Sequence, residues 1–593
     1  MVTKTAGGVS LTDIEQQLVD HVTRGELLDL AADEPVDEAA MRSWDSSRTV
    51  RAVVLRDILR GRLALDPDPH GLRLRGARIA GRLDLENLTT GVAVELYDCL
   101  LGEGLVAHGA TLPFLILSGC RLEYPAQPPL DADRLTATAL GLDRAVITAD
   151  CETGAVRLLG AHLGRLDCSG ARIRNDSGPG LDAEGLQVDQ NVFLRGGFEA
   201  VGARKNGAVR LLGAHIHGHL DCTDATMRND SGTALNADRL QVDQNVFLRG
   251  GFEAVGARKN GAVRLLGAHI HGQLNCTGAT MRNDSGTALA ADGLQVAQDV
   301  FLSGGFEAVG AGEFGAVRLL GAHLGRLDCS GARIRNDSGP GLDAEGLQVD
   351  QNVFLRGGFE AVGAGSSVTL DLSHVRIGGV LLFAPARLEH TADRQARLAL
   401  DGLTYAGLPE GISSRDWLRL LREATRSYAA QPYQQLASAH RAEGHDGEVR
   451  RILMVQRQAQ IDRRALTGRA ERAWAQLTGV TLGYGYQPWR ALLFLFAIAM
   501  IAVVLALTLG AHGGVARTDP HPPAATRCSA VEQVGIGLDL GLPLIKTGTR
   551  DHCDTTTSTT GQVLTAAGWG LQLLAWAFAT LFVAGFTGAV RKT

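Results

Sequence analysis

His215, His217 and His219 lie two residues apart, so on a strand their imidazoles point to one face, and His269 and His271 partly repeat the pattern. Two or three imidazoles can hold a metal, but a useful site needs further ligands and a second layer of hydrogen bonds. Unless one repeat of the chain were a single coil, matching histidines in adjacent repeats would stand at least roughly 9–10 Å apart, too far to share an ion. Solvated strand histidines are therefore favoured and no metal is expected. One complete G-x-G-x-x-G occurs at Gly310, Gly312 and Gly315, with Asp328 thirteen residues past the last glycine. Dinucleotide binding needs that motif between a strand and a helix, so that a pyrophosphate meets the helix N-terminus. Here the glycines lead into AVRLLGAH, which reads as a strand. Sister turns run from Gly202 to Gly207 and from Gly256 to Gly261, with Arg204 and Arg258 in the middle place. A corner that binds no nicotinamide or flavin is expected, and Gly312→Arg should leave folding nearly unchanged.

Asp167, Asp176, Asp182 and Asp189 recur or nearly recur, but glycoside cleavage needs two carboxyls at one set separation in a cleft, whereas an array repeats its acids like any solvated row. Thr481–Gly485 spells TLGYG, a potassium-filter word, yet a filter lies between two membrane helices and this one precedes both candidates. It reads as a membrane-surface turn leading into Pro488 and Trp489. No G-x-S-x-G is present. Cys168, Cys222, Cys276 and Cys329 return at one equivalent place beside a Leu-Asp or Leu-Asn pair and there is no C-x-x-C, which suits reduced core cysteines. With 58 basic against 64 acidic residues the chain lacks the basic stripe that nucleic acid requires.

Behind these residues stands a repeat. The words GAVRLLGAH begin at Gly154, Gly207, Gly261 and Gly315, and residues 154–203 and 315–364 are identical. Such units cannot bury an apolar face alone and need stacked neighbours. Val156/Leu158, Ala161/Leu163, Leu166/Cys168 and Ala171/Ile173 each place one residue in and the next out, pair after pair about five residues apart. After RNDSGPG the spacing resumes with Leu181/Ala183, Leu186/Val188 and Asn191/Phe193. Short strands with turns this frequent wind into a β-solenoid. Residues 72–405 resemble the pentapeptide-repeat and related β-helix proteins, which implies a mainly β chain built as a right-handed β-helix. A coil of roughly 20–22 residues would make about 16 coils and, at about 4.8 Å each, a rod roughly 75–80 Å long.

Flanking segments change period. Residues 1–70 read as a helical cap, with Thr12 as N-cap, Ile14, Leu18 and Val22 on one face, and a second helix over 49–60 ending at Gly61. The array fills 71–408, a helical juxtamembrane segment 409–488, and a two-helix membrane anchor 489–593. The helical segment is suggested by Trp417, Leu420, Leu421 and Ala424 and by a hairpin over PYQQLASAHRAEGHDGEVRRIL that caps the second rod end. Eight arginines and two acids lie between Arg450 and Arg490, suiting anionic lipid. Ala491–Gly510 and Gly568–Val590 are uncharged and long enough to span, with Trp489 and Trp569 as interface anchors. Arginines before the first span and Arg591 and Lys592 after the second place both termini and the solenoid in the cytoplasm, at the cell membrane, with 515–567 outside. There Cys528 and Cys553 meet conditions in which a disulfide persists. The first ten residues contain no apolar signal region.

The whole arrangement, with its PYQQLA, GYGYQPWRA and GLDLGLPLI words, looks like a family of bacterial membrane proteins whose members often carry the label "membrane-associated oxidoreductase". The resemblance implies redox chemistry, for which the residues above offer no intact constellation. The expected function is a non-enzymatic, membrane-anchored scaffold or docking surface for an unidentified protein partner. It would sit on the lipid bilayer without cofactor or nucleic acid, and self-association into a homo-oligomer stays open. The alternative is the oxidoreductase. A DNA-mimicking inhibitor is disfavoured because an acidic rod face is missing.

Overall fold

The computed structural model describes residues 1–593 except 1–4, 7–8, 33–35, 205–206, 464–467, 488, 519–526, 543–544 and 593. It divides into two compact units, Met1–Gln435 and Leu436–Thr593. The first is a parallel β-solenoid. One face is a 13-stranded parallel sheet that starts at Leu83–Asp84 and ends at Leu398–Ala399, one short strand per coil. A second face is a 14-stranded parallel sheet, and the third bends in the middle, so that His162–Asp167 pairs with both Gln187–Val188 and Val192–Phe193 of the next coil.

There are about 13 coils, not 16, because each is longer than the sequence spacing suggests. Val156 pairs with Leu181 and Leu181 with Val209, coils of 25 and 28 residues, so the 53- or 54-residue repeat is two coils. At about 4.8 Å per rung the 13 strands span roughly 60 Å. Four five-residue units do not fill such a coil; the remainder is a corner built on a buried asparagine. Asn175 donates from Nδ2 to the carbonyls of Cys151 (2.9 Å) and Pro179 (2.8 Å) and accepts from the amides of Cys151 (3.1 Å) and Ser177 (3.2 Å). Asn229, Asn283 and Asn336 stand at the same place, also buried.

The inward pairs expected from Val156 to Val188 are all buried. The last pair is not: Val192 and Leu194 point inward while Phe193 lies outside, its ring under the guanidinium of Arg195 at 4.2 Å and that of Arg165 at 5.0 Å. A bend at Asp189–Gln190 shifts the alternation by one residue. On the second face the inward column runs Ile173, Ala200, Met227, Ala254, Met281, Ala308, Ile334, Ala361, a large side chain on a small one at each step. That alternation fills the core and is why the sequence repeats every second coil.

Both rod ends are closed. At the start, α1 (Asp13–Arg24) is capped by Thr12 with Glu15 returning the bond, and buries Leu18, Val19 and Val22. Glu15 is itself buried and takes the Arg51 guanidinium at 2.5–2.8 Å. After α2 (Glu38–Ser43), α3 (Ala52–Leu59) ends at Gly61, whose φ is 65°. The cap is not only helical: Leu28–Asp29 and Thr49–Arg51 extend two of the sheets by a rung. At the far end α4 (Ser414–Glu423) buries Trp417 edge-on to Phe383, centroids 5.3 Å apart. The Ala424 carbonyl accepts from the amides of Arg397 (3.0 Å) and Leu398 (2.9 Å), and Gln431 and Gln435 donate side-chain amides to the carbonyls of Leu403 (2.7 Å) and Tyr405 (2.8 Å). An open sheet edge is thus satisfied by helix-borne groups.

In the second unit, α5 (Gln431–Ala442), which straddles the division, is followed after a turn at Gly444 by α6 (Asp446–Asp462) and then by α7 (Arg469–Leu482). The TLGYG word closes α7: Gly483 is its left-handed cap, the Tyr484 hydroxyl donates to Gln458 Oε1 at 2.8 Å, and the Leu482 and Gly483 carbonyls accept from the amides of Gln487 (3.0 Å) and Tyr486 (3.1 Å) within the turn. Pro488 lies outside the described residues. α8 (Trp489–Leu509) and α10 (Thr559–Lys592) are long and apolar enough to cross a membrane, and Phe494 stacks on Phe578 at 5.0 Å between them. The segment between them is more than a loop. α9 (Ala530–Gly541) packs against both, and a Cβ at Gly537 would stand 2.7 Å from Val503 Cα, so only glycine admits this approach. Val515–Arg517 pairs antiparallel with Cys553–Thr555, and a Cys528–Cys553 disulfide bridges α9's start to that strand.

Because neighbouring terms alone hold an array together, deletion of 207–260 should give a shorter folded rod. The junction restores the same words, and β-type circular dichroism per residue should match the parent. Loss of that signal would show that the units are not interchangeable.

Candidate functional site

Parallel stacking turns sequence positions into columns. On the bent face His162, Gln187, His215, Gln241, His269, Gln295, His323 and Gln348 pair rung to rung. Two residues further along each strand a second column passes through Asp189, His217, Asp243 and His271, each amide bonded to the coil before. The two columns meet at Asp243. Its carboxylate lies 3.3 Å from His215 Nε2, 2.7 Å from His217 Nδ1 and 3.6 Å from His271 Nδ1. The rings of His215 and His217 are 4.2 Å apart. The hydrogen bond from His217 holds the Asp243 carboxyl below the usual carboxylate range, against the opposing effect of burial and with the His215 bond adding to it. The group is solvent-accessible. Two imidazoles and a carboxylate in this spacing can bind a borderline divalent cation or pass a proton between nitrogen and oxygen.

Of the three histidines read from the sequence, two meet and one does not. The strand ends at Ile216, and the bend at His217–Gly218 carries His219 to the other arm of the face. There its amide donates to Asn191 Oδ1 (2.8 Å), its Nδ1 accepts from the Asn245 amide (3.2 Å), and its ring lies 5.7 Å from Phe247. Histidines of adjacent repeats are separated by a whole coil, and that intervening coil brings Asp243 into the gap between them. The signal for it was in the QVDQ word of the intervening coil.

The units are also less alike here than elsewhere. The first and fourth repeats have one histidine facing one acid, His162 with Asp189 (3.1 Å) and His323 with Asp350 (2.8 Å), with glycine at 164 and 325 in place of the second. The third repeats the histidine pair as His269 and His271 but has Ala297 in place of the acid. That truncation leaves a shallow groove of about 280 Å³ lined by His269, His271, Gln295, Ala297, His323 and Asp350.

The remaining sequence candidates serve the frame. Gly310–Gly315 is a corner between the strands Glu307–Gly310 and Val317–Arg318, so no helix N-terminus stands behind it. Gly312 does differ from its sisters. Arg204 and Arg258 take left-handed backbone (φ 64° and 69°), whereas Gly312 does not, and a Cβ there would stand 3.0 Å from Gly286 Cα. Gly312→Arg therefore requires a backbone neighbour to give by a few tenths of an ångström, an effect local to this turn. Burial pushes the array thiols up, Cys276 to about 12 and Cys168, Cys222 and Cys329 further, so thiolate is scarce at neutral pH. The recurring acids are engaged: Asp167 by Arg165 and Ser169, Asp176 by Arg174, Asp182 by Arg210 at 2.7 Å.

On the 13-stranded face the outward column Asp131, Arg157, Asp182, Arg210 alternates in sign. Where the last repeat ends, its Asp343 stacks on Asp371 of the coil that follows, and burial together with that like charge raises the Asp343 carboxyl to about 6. No protein-family model, curated protein or solved structure matches the chain.

These environments have two measurable consequences. A carboxyl raised in the fold favours folding below its unfolded value and loses that contribution as pH rises through about 6. Asp343→Asn should therefore raise the thermal midpoint at pH 8, by a few degrees for about 1–2 kcal/mol, and change it little at pH 4; equal shifts at both would refute the pairing. In the folded protein at pH 8 the array cysteines should resist maleimide until denaturant is added, and rapid labelling of Cys222 or Cys276 would contradict their burial.

Proposed function

We propose that the chain is a membrane-anchored β-solenoid whose array is a preformed docking surface for another protein, without catalysis of its own. The observation that carries the reading is the pair α8 and α10. Both are of membrane-spanning length, and their apolar side chains, among them Leu493, Phe496, Ile501, Leu573 and Val583, remain exposed. A soluble protein would not leave so continuous an apolar surface uncovered. Trp489 is exposed at the start of the first span, suiting the lipid interface, whereas the second span begins at Thr559, so Trp569 lies inside it and is no end anchor.

The docking part rests on rigidity. Faces whose charges are closed coil to coil, and whose ends are capped, present a fixed polar relief that a partner can read at little entropic cost. In this reading the solenoid and both termini are cytoplasmic, because the Arg450–Arg490 stretch and Arg591 and Lys592 flank the spans. The segment 515–567, with its disulfide, faces the oxidising side. Kinship with pentapeptide-repeat-like bacterial membrane proteins belongs to the same proposal. The oxidoreductase alternative lacks a reactive thiol or a cofactor cradle among the described residues.

A reporter fused at the C-terminus should be active only in the cytoplasm, and purification in mild detergent should retain a stoichiometric protein partner and no chromophore. Activity outside the cell would reverse the topology. A bound flavin-like absorbance would replace the scaffold by the oxidoreductase.

A further inference from the structure

The geometry points to a divalent transition-metal site on the array, with His215 Nε2, His217 Nδ1 and Asp243 as ligands and water completing the shell. We infer zinc-class, borderline cations because the donors are two imidazoles and one carboxylate; calcium and magnesium take oxygen ligands. This inference goes beyond the docking reading and does not depend on it, since it stands on the array's rungs alone.

Three observations carry it. First, the ligand atoms of His215, His217 and Asp243 all lie within 4.8 Å of one another. The 3.3 Å from His215 Nε2 to one Asp243 oxygen matches the edge of a tetrahedron around zinc, about 3.3–3.4 Å for bonds near 2.0–2.1 Å, and the 2.7 Å from His217 Nδ1 to the other oxygen is shorter than that edge. Small side-chain rotations bring the three into a single shell without moving the ladder. Second, the backbone under the site is fixed by rungs on both sides, Gln187 to His215, His215 to Gln241 and Gln241 to His269, so the ligands are held before the ion arrives. Third, among four near-copies of the unit this combination arises once. The second histidine is glycine in the first and fourth, and the acid is alanine in the third. Among the described residues the other two groups of potential ligands are already engaged. Cys528 and Cys553 are bonded to each other, and at His108 and Asp133 the guanidinium groups of Arg134 and Arg157 occupy the donors.

Coordination through His217 Nδ1 requires the tautomer that carries its proton on Nε2, and a protonated imidazole must lose a proton first, so binding weakens on acidification. It also adds a link between two adjacent coils, and an ion held by the folded array alone raises its stability.

The test uses the tag-free full chain in mild detergent, titrated with Zn²⁺ by calorimetry and with Co²⁺ by visible absorption, which reports tetrahedral nitrogen and oxygen ligation. One ion per chain is expected. His217→Gln and Asp243→Asn should each weaken binding tenfold or more, while Asp189→Asn and Asp350→Asn, at the single-histidine rungs, should leave it unchanged. Circular dichroism checks that each variant is folded. Ala297→Asp supplies the missing acid beside His269 and His271 and should raise the stoichiometry to two. Absence of saturable binding, equal losses in all four variants, or one ion still bound by Ala297→Asp would each overturn the assignment.

Discussion

In a parallel ladder every residue lies directly above its counterpart one coil below, at about 4.8 Å, and whatever side chain occupies a place must tolerate a neighbour at that distance. Most of the molecule obeys this constraint. Two large side chains in succession would overfill the core, so Met227 lies between Ala200 and Ala254. Two like charges in succession repel, so Asp182 is placed between Arg157 and Arg210. A unit of two unlike coils satisfies both demands at once, which is why the sequence repeats at twice the coil length. Where the alternation lapses the cost is visible, as at Asp343 over Asp371, whose carboxyl is raised to about 6.

The same constraint produces the imidazole–carboxylate cluster. A histidine pair on one coil and a carboxylate on the next are charge-compatible neighbours, and the coil beyond offers histidines again. His217, Asp243 and His271 are 26 and 28 residues apart in the chain yet form one column. A site of this kind needs no loop to be ordered around it, because the ladder that forms the fold also spaces the ligands. Its position within the array depends on single substitutions, glycine at 164 and 325 and alanine at 297, in words otherwise almost unchanged.

Much of the fold could be read from periodicity. The pairs from Val156 to Val188 and the N-terminal face of Leu18 and Val22 are buried where the pattern puts them, because an inward residue must be apolar wherever it recurs. The features that periodicity hides depend on local bends or on contacts across coils. Phe193 and His219 sit beyond bends at Asp189–Gln190 and His217–Gly218, where polar residues shift the alternation without any change in composition. Coil length exceeds the five-residue spacing because Asn175 looks like an ordinary turn residue until its four hydrogen bonds show that it is a buried corner. Asp243 is illegible from its own neighbourhood since its partners are 26 to 28 residues distant, and α9 since its glycines suggest a loop until Val503 is seen pressed against one of them.

The closed rod ends have a mechanical meaning. Ladder hydrogen bonds run along the rod axis, so the rungs stand in series under tension between its ends and give way one at a time. Yielding begins at the weaker terminus, where Trp417, Gln431 and Gln435 on one side and Leu18, Val22 and Arg51 on the other must let go before any interior coil can peel. Each coil of 25 or 28 residues then releases on the order of 80–100 Å of chain. Such an array lengthens in discrete steps under load and leaves the remaining coils intact, with the strength of its two lids setting the force at which the first step occurs.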